Sequence, residues 1–169
     1  GMGFSYWQVL PLNPPDFHGS PYTSDAAFAI SHMFVSPDEL VKDGLVSAED
    51  IERSVYYGSP YTADYEFAYS ARLELLRKAY SNAGEAIKAK AEKFADENEW
   101  CKSYSLFMAA KEKFDNKPWY EWGEDVARYE NCLKNADKLK DEADFYAFVQ
   151  YIAFSQWKEI KLYANDRGV

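Results

Sequence analysis

The residues best suited to contact a ligand lie near the start of the chain, between Asn13 and Tyr22. This stretch holds three prolines, one glycine and no helical period, which predicts a stiff loop. Ser20 is a compact hydrogen-bond donor and acceptor, and Tyr22 offers a flat apolar face together with a hydroxyl. Pro21 fixes their relation at small entropic cost. The structural alternative is a tyrosine packed beneath its own loop.

Groups that could break bonds or hold a metal ion are sparse. Asp16, Asp25 and Asp64 are the nearest carboxylates, but all three lie in predicted turns or at a helix start, where aspartate usually accepts hydrogen bonds from the backbone. We therefore assign no catalytic residue. The two histidines and the two cysteines, Cys101 and Cys132, show no zinc or disulfide spacing, so no metal ion or cofactor is predicted and the thiols are expected to be free.

The element that must position the loop is the segment before it. Phe4 to Leu12 is rich in aromatic and β-branched residues, which predicts a buried strand that stops at Pro11 or lies on an edge. A buried strand followed by a rigid, hydroxyl-bearing loop forms the mouth of the active site in α/β barrels. A hairpin arm with an ordinary turn is the alternative. A lone strand has no partner, so either another strand is missed or the chain belongs to something larger.

Most of the remaining sequence is predicted to be helical. Capping signals at Ser36, closed by Glu39, and at Ser47 indicate two short helices. A longer helix starts at Asp64, and its apolar face is predicted to comprise Tyr65, Tyr69, Leu73, Leu76 and Tyr80. Glu85 to Glu97 reads as a polar helix. The next helix has a stripe formed by Trp100, Tyr104, Phe107 and Phe114.

The last two predicted helices differ in polarity. Glu124 to Lys140 is polar and alternates in charge, with three residues expected to be buried: Val126, Tyr129 and Leu133. Asp141 to Asn165 is apolar almost all round between Phe145 and Trp157, which indicates cover on more than one side. Gln150 and Gln156 are expected to satisfy backbone groups there. The tryptophans are expected to pack in the core, with Trp122 the most open to a ligand: Trp7, Trp100, Trp119, Trp122 and Trp157.

Composition excludes several classes of partner. The net charge of −9 argues against sequence-independent nucleic-acid binding and against an anionic membrane surface, both of which need basic residues. A neutral ligand is indifferent to this charge. No apolar run approaches the length of a membrane span and no signal peptide is recognisable, so a cytoplasmic protein is expected.

One short string occurs twice. Gly58 to Thr62 repeats the sequence Gly-Ser-Pro-Tyr-Thr found at Gly19 to Thr23. Two copies do not make a repeat architecture. We interpret them as two similar turns, and only the first follows a predicted strand, so the first is taken as the one that faces a ligand.

Several strings stand in a fixed order along the chain: SYWQVLPL at 5–12, GSPY at 19–22, WCKSYSLFMAAK at 100–111, PWYEW at 118–122 and FYAFVQ at 145–150. Together they resemble the amylomaltases, the 4-α-glucanotransferase family. The resemblance implies a (β/α)8 barrel in which a long helical excursion follows an early strand. For this chain it predicts a mainly α fold, a helical subdomain with one or a few short strands, excised from such a barrel.

The resemblance also implies how the chain is divided. Residues 1–25 would form a barrel strand and its substrate-side loop. Residues 26–140 would form a mostly helical insertion subdomain, and residues 141–169 a long buried barrel helix. The strand at Phe4–Leu12 would lack its barrel neighbours, so it could join copies of the chain into a homo-oligomer.

The activity implied by the resemblance is transfer of α-1,4-glucan chains in starch, glycogen or maltooligosaccharide metabolism. One carboxylate attacks the sugar, a carboxylic acid about 5 Å away protonates the leaving oxygen, and an acceptor sugar then takes the chain with net retention. The resemblance places both groups beyond this chain, which is therefore expected to be inactive alone. Its ligands would be α-1,4-glucans or maltooligosaccharides.

The residues carried over from the family are sugar contacts. Ser20 and Tyr22 stand in the Ser-Pro-Tyr loop that lines the family's donor-side cleft. Phe17 stands where many members carry a tyrosine of a secondary glucan site, so stacking would remain and one hydrogen bond would be lost. Gly19 replaces a common Asp, and residues 30–32 replace a Gly-Asn-Pro, which leaves the loop shape open.

Two other classes of function stay open. A helical module could bind a protein partner through its aromatic surfaces. A non-catalytic carbohydrate-binding unit could use Tyr22 and Phe17 without any catalytic carboxylate.

Overall fold

A computed structural model describes residues 3–16, 19–124 and 126–169. The mainly helical class is confirmed, because most of these residues are helical and none is in a β-strand. The α-helices within them are α1 Pro37–Lys42, α2 Ala48–Arg53, α3 Tyr65–Asn82, α4 Glu85–Glu97, α5 Glu99–Lys113, α6 Tyr129–Lys134 and α7 Lys140–Asn165.

The predicted strand at Phe4–Leu12 is not formed. Residues 3–11 have no regular secondary structure, and every one of them is exposed. A strand needs a neighbour that pairs with its backbone N–H and C=O groups, and no described segment supplies one. The prediction of a buried strand is therefore wrong for this structure.

The chain forms two compact units, and the first comprises Gly1–Ala83 and Ile152–Val169. Its core is built mainly from α1, α3 and the segments that flank them. The buried apolar side chains are Ala29, Ile30, Val35, Leu40, Leu45, Val46, Leu75, Leu76, Ala79, Ala83, Ile152 and Ala153.

The short helices of this unit begin in different ways. At α2 the predicted capping signal is confirmed, because Ser47 Oγ accepts from Asp50 N at 3.2 Å and Asp50 Oδ2 accepts from Ser47 N at 3.0 Å. At α1 the Ser36 side chain makes no capping bond. Gln156 takes the role that the predicted capping box gives to Glu39, since its Oε1 accepts from Ser36 N at 2.7 Å and its Nε2 donates to Ser36 O at 3.4 Å. The predicted role of Gln156 is thus confirmed.

Helix α3 starts where the sequence predicts, with Asp64 Oδ1 accepting from Phe67 N at 2.9 Å. Of the predicted apolar face, Leu76 is confirmed as buried, and the other side chains that enter the core are Leu75 and Ala79, which were not predicted. Tyr65 is exposed on this helix. A tyrosine carries a hydroxyl that favours a partly wet position, so leucine and alanine fill the tightest contacts instead.

The second unit is Gly84–Tyr151. Helices α4 and α5 are separated only by Asn98, whose side chain donates to Phe94 O at 2.8 Å. Small residues let α4, α5 and the first part of α7 approach closely, with Ala95, Cys101 and Ala147 in one buried cluster. A larger cluster gathers residues from α5 to the start of α7: Leu106, Ala109, Ala110, Trp122, Val126, Cys132 and Leu139.

The predicted helix from Glu124 to Lys140 is broken in the structure. It contains α6 and a 3-10 turn at Ala136–Leu139, joined at Asn135, whose backbone departs from helical geometry. Asparagine often ends a helix because its side chain bonds to nearby backbone, and here its Nδ2 donates to Asn131 O at 3.1 Å. The break changes the buried face, so Tyr129 and Leu133 are exposed.

Helix α7 confirms the prediction of cover on more than one side. All six residues of Phe145–Gln150 are buried, a run that no single helix face could provide. Farther along α7, Ile152 and Ala153 are also buried.

Candidate functional site

The loop that carries Ser20 and Tyr22 is closed at its base. Ser31 N donates to Leu12 O at 2.7 Å, which joins the two ends of the loop. Inside it, the Asn13 side-chain amide donates to Ala26 O. These two bonds connect described residues on either side of the loop, and the stiffness predicted from its prolines stays a prediction.

Asp16 organises the turn at the centre of this loop. One carboxylate oxygen, Oδ1, accepts from Ser20 N at 2.9 Å, and the other accepts from the Thr23 hydroxyl. Its backbone takes part as well, because Gly19 N donates to Asp16 O at 2.9 Å and Asp16 N donates to Ser20 O at 3.0 Å. Asp16 therefore has the turn role expected of an aspartate at this place.

Ser20 and Tyr22 follow directly from this turn. Pro21–Thr23 forms a single 3-10 turn capped by Ser20, whose Oγ accepts from Tyr22 N at 3.4 Å. A serine hydroxyl that accepts one bond can still donate its proton to a ligand. The Tyr22 side chain is 71% exposed, so the alternative in which it packs beneath its own loop does not describe this structure.

Gly19 has a specific conformational role. Its φ of +81° lies in the left-handed region, and nothing lies within 4 Å of the position that a Cβ would occupy. A side chain would therefore fit in space and still strain the backbone. Glycine at this position avoids that strain.

Phe17, the third predicted sugar contact, lies outside the described residues together with His18. Its contact with a second sugar remains a prediction.

The loop ends in the core at His32, which is 8% exposed and meets the Tyr69 ring edge-on at 4.3 Å. Burial lowers the pKa of His32 to about 4; a hydrogen bond to the Tyr69 backbone opposes this, and the nearby Arg72 charge adds to it. Its Nε2 is buried without a hydrogen-bond partner. A neutral, enclosed imidazole has the properties of a structural residue.

The tryptophans are distributed differently from the prediction. Trp122 is buried, stacks on Phe114 at 6.0 Å and donates from Nε1 to Lys117 O at 2.8 Å, so it is the best packed of the five. Trp7 and Trp119 are each 58% exposed, so the expected core packing is wrong for both. Trp7 lies within the exposed, unpaired segment of residues 3–11, which explains its exposure.

Within the described residues, no three His, Cys, Asp or Glu side chains are grouped so that they could hold a metal ion. In the same part of the chain, no helix combines the length and the apolar character that crossing a bilayer requires. Cys101 and Cys132 are buried and form no disulfide, and burial raises the pKa of Cys101 to about 11.

A sequence profile of the family described as 4-alpha-glucanotransferase matches residues 1–169. The chain belongs to the 4-alpha-glucanotransferase family. Curated relatives with that name include proteins from Aquifex aeolicus, 37% identical over 99% of this chain, and from Streptococcus pneumoniae, 38% identical over 97%. The chain spans about a third of the length of these relatives, 34% in both.

A solved structure shows the same fold. An amylomaltase from Streptococcus agalactiae, determined in complex with acarbose, matches with a TM-score of 0.86 and 32% sequence identity. The match covers 96% of this chain and 34% of that protein. The helical architecture described above is therefore also present in that amylomaltase, of which it corresponds to about a third.

Sequence reasoning gave Asp16 a turn role but did not identify the partners of its carboxylate. The signal that could have found it is an aspartate three residues before a glycine, as at Asp16 and Gly19, because this pair is typical of a turn. The bond from Asp16 to Thr23 has no such signal, since it depends on how the whole turn folds.

Proposed function

We propose that this chain is the part of a 4-α-glucanotransferase that contacts the donor glucan. The complete enzyme would break an α-1,4 bond by carboxylate attack at the anomeric carbon, with a carboxylic acid protonating the leaving oxygen. The hydroxyl of an acceptor sugar would then displace the carboxylate and lose its proton to the same acid–base group. Both carboxyl groups would come from other parts of the enzyme, because no residue of this chain is assigned to them.

The observation that carries the proposal is the family match over residues 1–169, joined to a Ser-Pro-Tyr turn whose Tyr22 is exposed and whose Ser20 is half-buried. Tyr22 would lay its ring against the apolar face of a glucose unit, and Ser20 would exchange hydrogen bonds with sugar hydroxyls. Phe17 would stack on a second sugar. The acarbose bound to the Streptococcus agalactiae amylomaltase supports a maltooligosaccharide as the ligand class.

We also propose a cytoplasmic location and a homo-oligomer of the isolated chain. Two cysteines that form no disulfide support a reducing compartment. Exposed apolar side chains on residues 4–10, including Phe4, Trp7 and Leu10, support association of copies through this segment.

The test is an assay of maltotriose disproportionation in which the released glucose is measured. The longer protein that contains this chain is expected to convert maltotriose into glucose and longer maltooligosaccharides. The 169-residue chain alone is expected to release none. A longer protein without this activity would contradict the proposal, and clean glucose release by the chain alone would contradict the assignment of no catalytic residue.

A further inference from the structure

The loop that carries Tyr22 returns to the core through a 3-10 turn, His32–Phe34. Ser31 caps this turn, since its Oγ accepts from Met33 N at 3.3 Å. The same residue closes the base of the loop, because its backbone N–H donates to Leu12 O at 2.7 Å. The position of the loop base therefore depends on what holds this 3-10 turn.

Helix α3 holds the 3-10 turn through two side chains. Arg72 donates from Nη1 to Val35 O, and also to Met33 O at 3.4 Å. Tyr69 meets the His32 ring edge-on at 4.3 Å. Residues three apart lie on the same side of a helix, so both contacts come from one face of α3. A guanidinium and a ring contact thus bind the turn to the helix.

The bonds made by Arg72 are suited to fixing a backbone. Its side chain is half-buried, and burial lowers the pKa of the guanidinium, so the charge is partly removed from water. Val35 is 1% exposed, which leaves its carbonyl little access to water. A charged donor bonds to such a carbonyl more strongly than a neutral one, and its removal costs the carbonyl that partner. Arg72 is therefore expected to set the position of the turn.

Further hydrogen bonds lead from the loop base to the residues that face a ligand. Next to the base, the Asn13 side-chain amide donates to Ala26 O. At the centre of the loop, the Asp16 carboxylate accepts from Ser20 N and from the Thr23 hydroxyl. A displaced base would therefore be felt at the centre of the loop.

We propose that Arg72 is a positioning residue for donor binding. By holding the carbonyls of Met33 and Val35, it fixes the base of the loop, and the loop then presents Ser20 and Tyr22 to the glucan in one arrangement. The inference rests on the proposed function, because it assigns a role in the same site to a residue that acts through the loop. If the loop adopted the binding arrangement only a fifth of the time, the apparent affinity for the donor would fall fivefold.

Kinetics of maltotriose disproportionation by the longer enzyme test this role. Arg72→Met keeps a side chain of similar length and removes every donor, so it is expected to raise KM about fivefold with little change in kcat. Arg72→Lys keeps a charged donor without the planar guanidinium, and we expect it to raise KM about twofold. A purely structural role predicts a different result, because partial unfolding lowers the amount of active enzyme and leaves KM unchanged.

Asn82→Ala is the matched control. Asn82 also lies on α3, and its Nδ2 donates at 2.9 Å to the carbonyl of buried Leu45, which is outside the loop. Its removal is expected to leave KM unchanged. Tyr22→Ala is the positive reference, and Tyr120→Ala, at an exposed tyrosine of the other unit, is its control. Combining Arg72→Met with Tyr22→Ala should raise KM less than the product of the single effects, because the first acts through the loop that carries the second.

Hydrogen exchange in the 169-residue chain provides a readout that needs no glucan. Backbone amides within residues 19–31 are expected to exchange faster in Arg72→Met than in the unaltered chain, whereas Asn82→Ala leaves their rates unchanged. Circular dichroism verifies that each variant is folded. If Arg72→Met does not fold, Arg72→Lys carries both the kinetic and the exchange comparison.

The outcomes separate the role of Arg72 from the proposed function. If Tyr22→Ala raised KM and the Arg72 variants did not, the inference would be overturned and the donor contact would stand. Equal rises in KM for Arg72→Met and Asn82→Ala would also overturn it, because any loosening of α3 would then suffice. Unchanged exchange of the loop amides in Arg72→Met would show that Arg72 does not fix the loop. Faster exchange, with KM unchanged in Tyr22→Ala, would support the hold on the loop and overturn the proposed donor contact.

Discussion

The two turns of identical sequence are held by different means. In the first, the Asp16 carboxylate bonds to the backbone and to the Thr23 hydroxyl. In the second, the corresponding position, four residues before the serine, is Val55, which has no polar side chain. There the Tyr56 ring packs on Phe67 instead. Five identical residues thus specify the local turn, while the residues before them decide whether hydrogen bonds or ring packing support it.

The turns also differ in where their loops lead. The first loop enters the core at Ser31 and His32, which are both buried. The second leads to Asp64, which is exposed and caps α3. We therefore expect the stability of the chain to depend more on the first loop than on the second.

The largest expected effect concerns pH. Burial lowers the pKa of His32 from 6.5 to about 4. Between these two pH values, His32 is protonated in the unfolded chain and neutral in the folded chain. The contribution of neutral His32 to the free energy of unfolding is therefore fully present above pH 6.5 and is lost as the pH falls to about 4. This loss approaches about 3 kcal/mol. Urea unfolding at pH 7, 5.5 and 4.5 measures it.

The matched variant is His32→Phe, which keeps a ring against Tyr69 and removes the titrating group. Its free energy of unfolding is expected to fall less than that of the unaltered chain between pH 6.5 and 4. If the free energy of unfolding fell equally with pH in the two proteins, the loss would not be due to the burial of neutral His32.

The next largest effect is expected at Asp16. Asp16→Ala removes the acceptor of two hydrogen bonds, and bonds to charged groups contribute more than neutral ones, so we expect a loss of about 2 kcal/mol in urea unfolding. Val55→Ala is the control at the corresponding position of the second turn, and it should stay within about 0.5 kcal/mol. Equal losses of stability at the two positions would show that Asp16 stabilises the first turn no more than Val55 stabilises the second.

The smallest effect is expected at Gly19. Gly19→Ala places a side chain at a φ of +81° and should cost about 1 kcal/mol of stability. Gly19→Asn should cost less, because asparagine tolerates the left-handed region better than alanine. If thermal or urea unfolding gave the two variants the same stability, backbone strain would not be the reason for glycine at this position.

Local signals predicted local structure well. The Ser47–Asp50 capping box and the Asp64 cap were predictable because both partners lie within four residues. Ser36 shows the limit of such reasoning. Its backbone N–H is held by Gln156, and the two residues are 120 positions apart in the sequence. A capping box at Ser36 and Glu39 was predictable from the pattern, but tertiary contact took its place.

Periodicity predicted helices more reliably than buried faces. On α3 the pattern correctly placed Leu76 in the core, but it favoured three tyrosines over Leu75 and Ala79, which the structure buries. Near Asn135 a side-chain bond to the backbone ends the pattern. The strand at Phe4–Leu12 failed for another reason, since pairing depends on a neighbour that the sequence of the segment does not contain. The division at residues 25 and 140 refers to an enclosing barrel and stays a prediction.

The central proposal for this chain is contact between the first turn and the donor glucan. The direct test is the kinetics of maltotriose disproportionation by the longer enzyme with Tyr22→Ala, and with Tyr120→Ala as the control. We expect Tyr22→Ala to raise KM about fivefold or more while the fold is retained, because it removes a stacked ring from the donor side. An unchanged KM and kcat would contradict the account and assign Tyr22 to the surface of the loop alone.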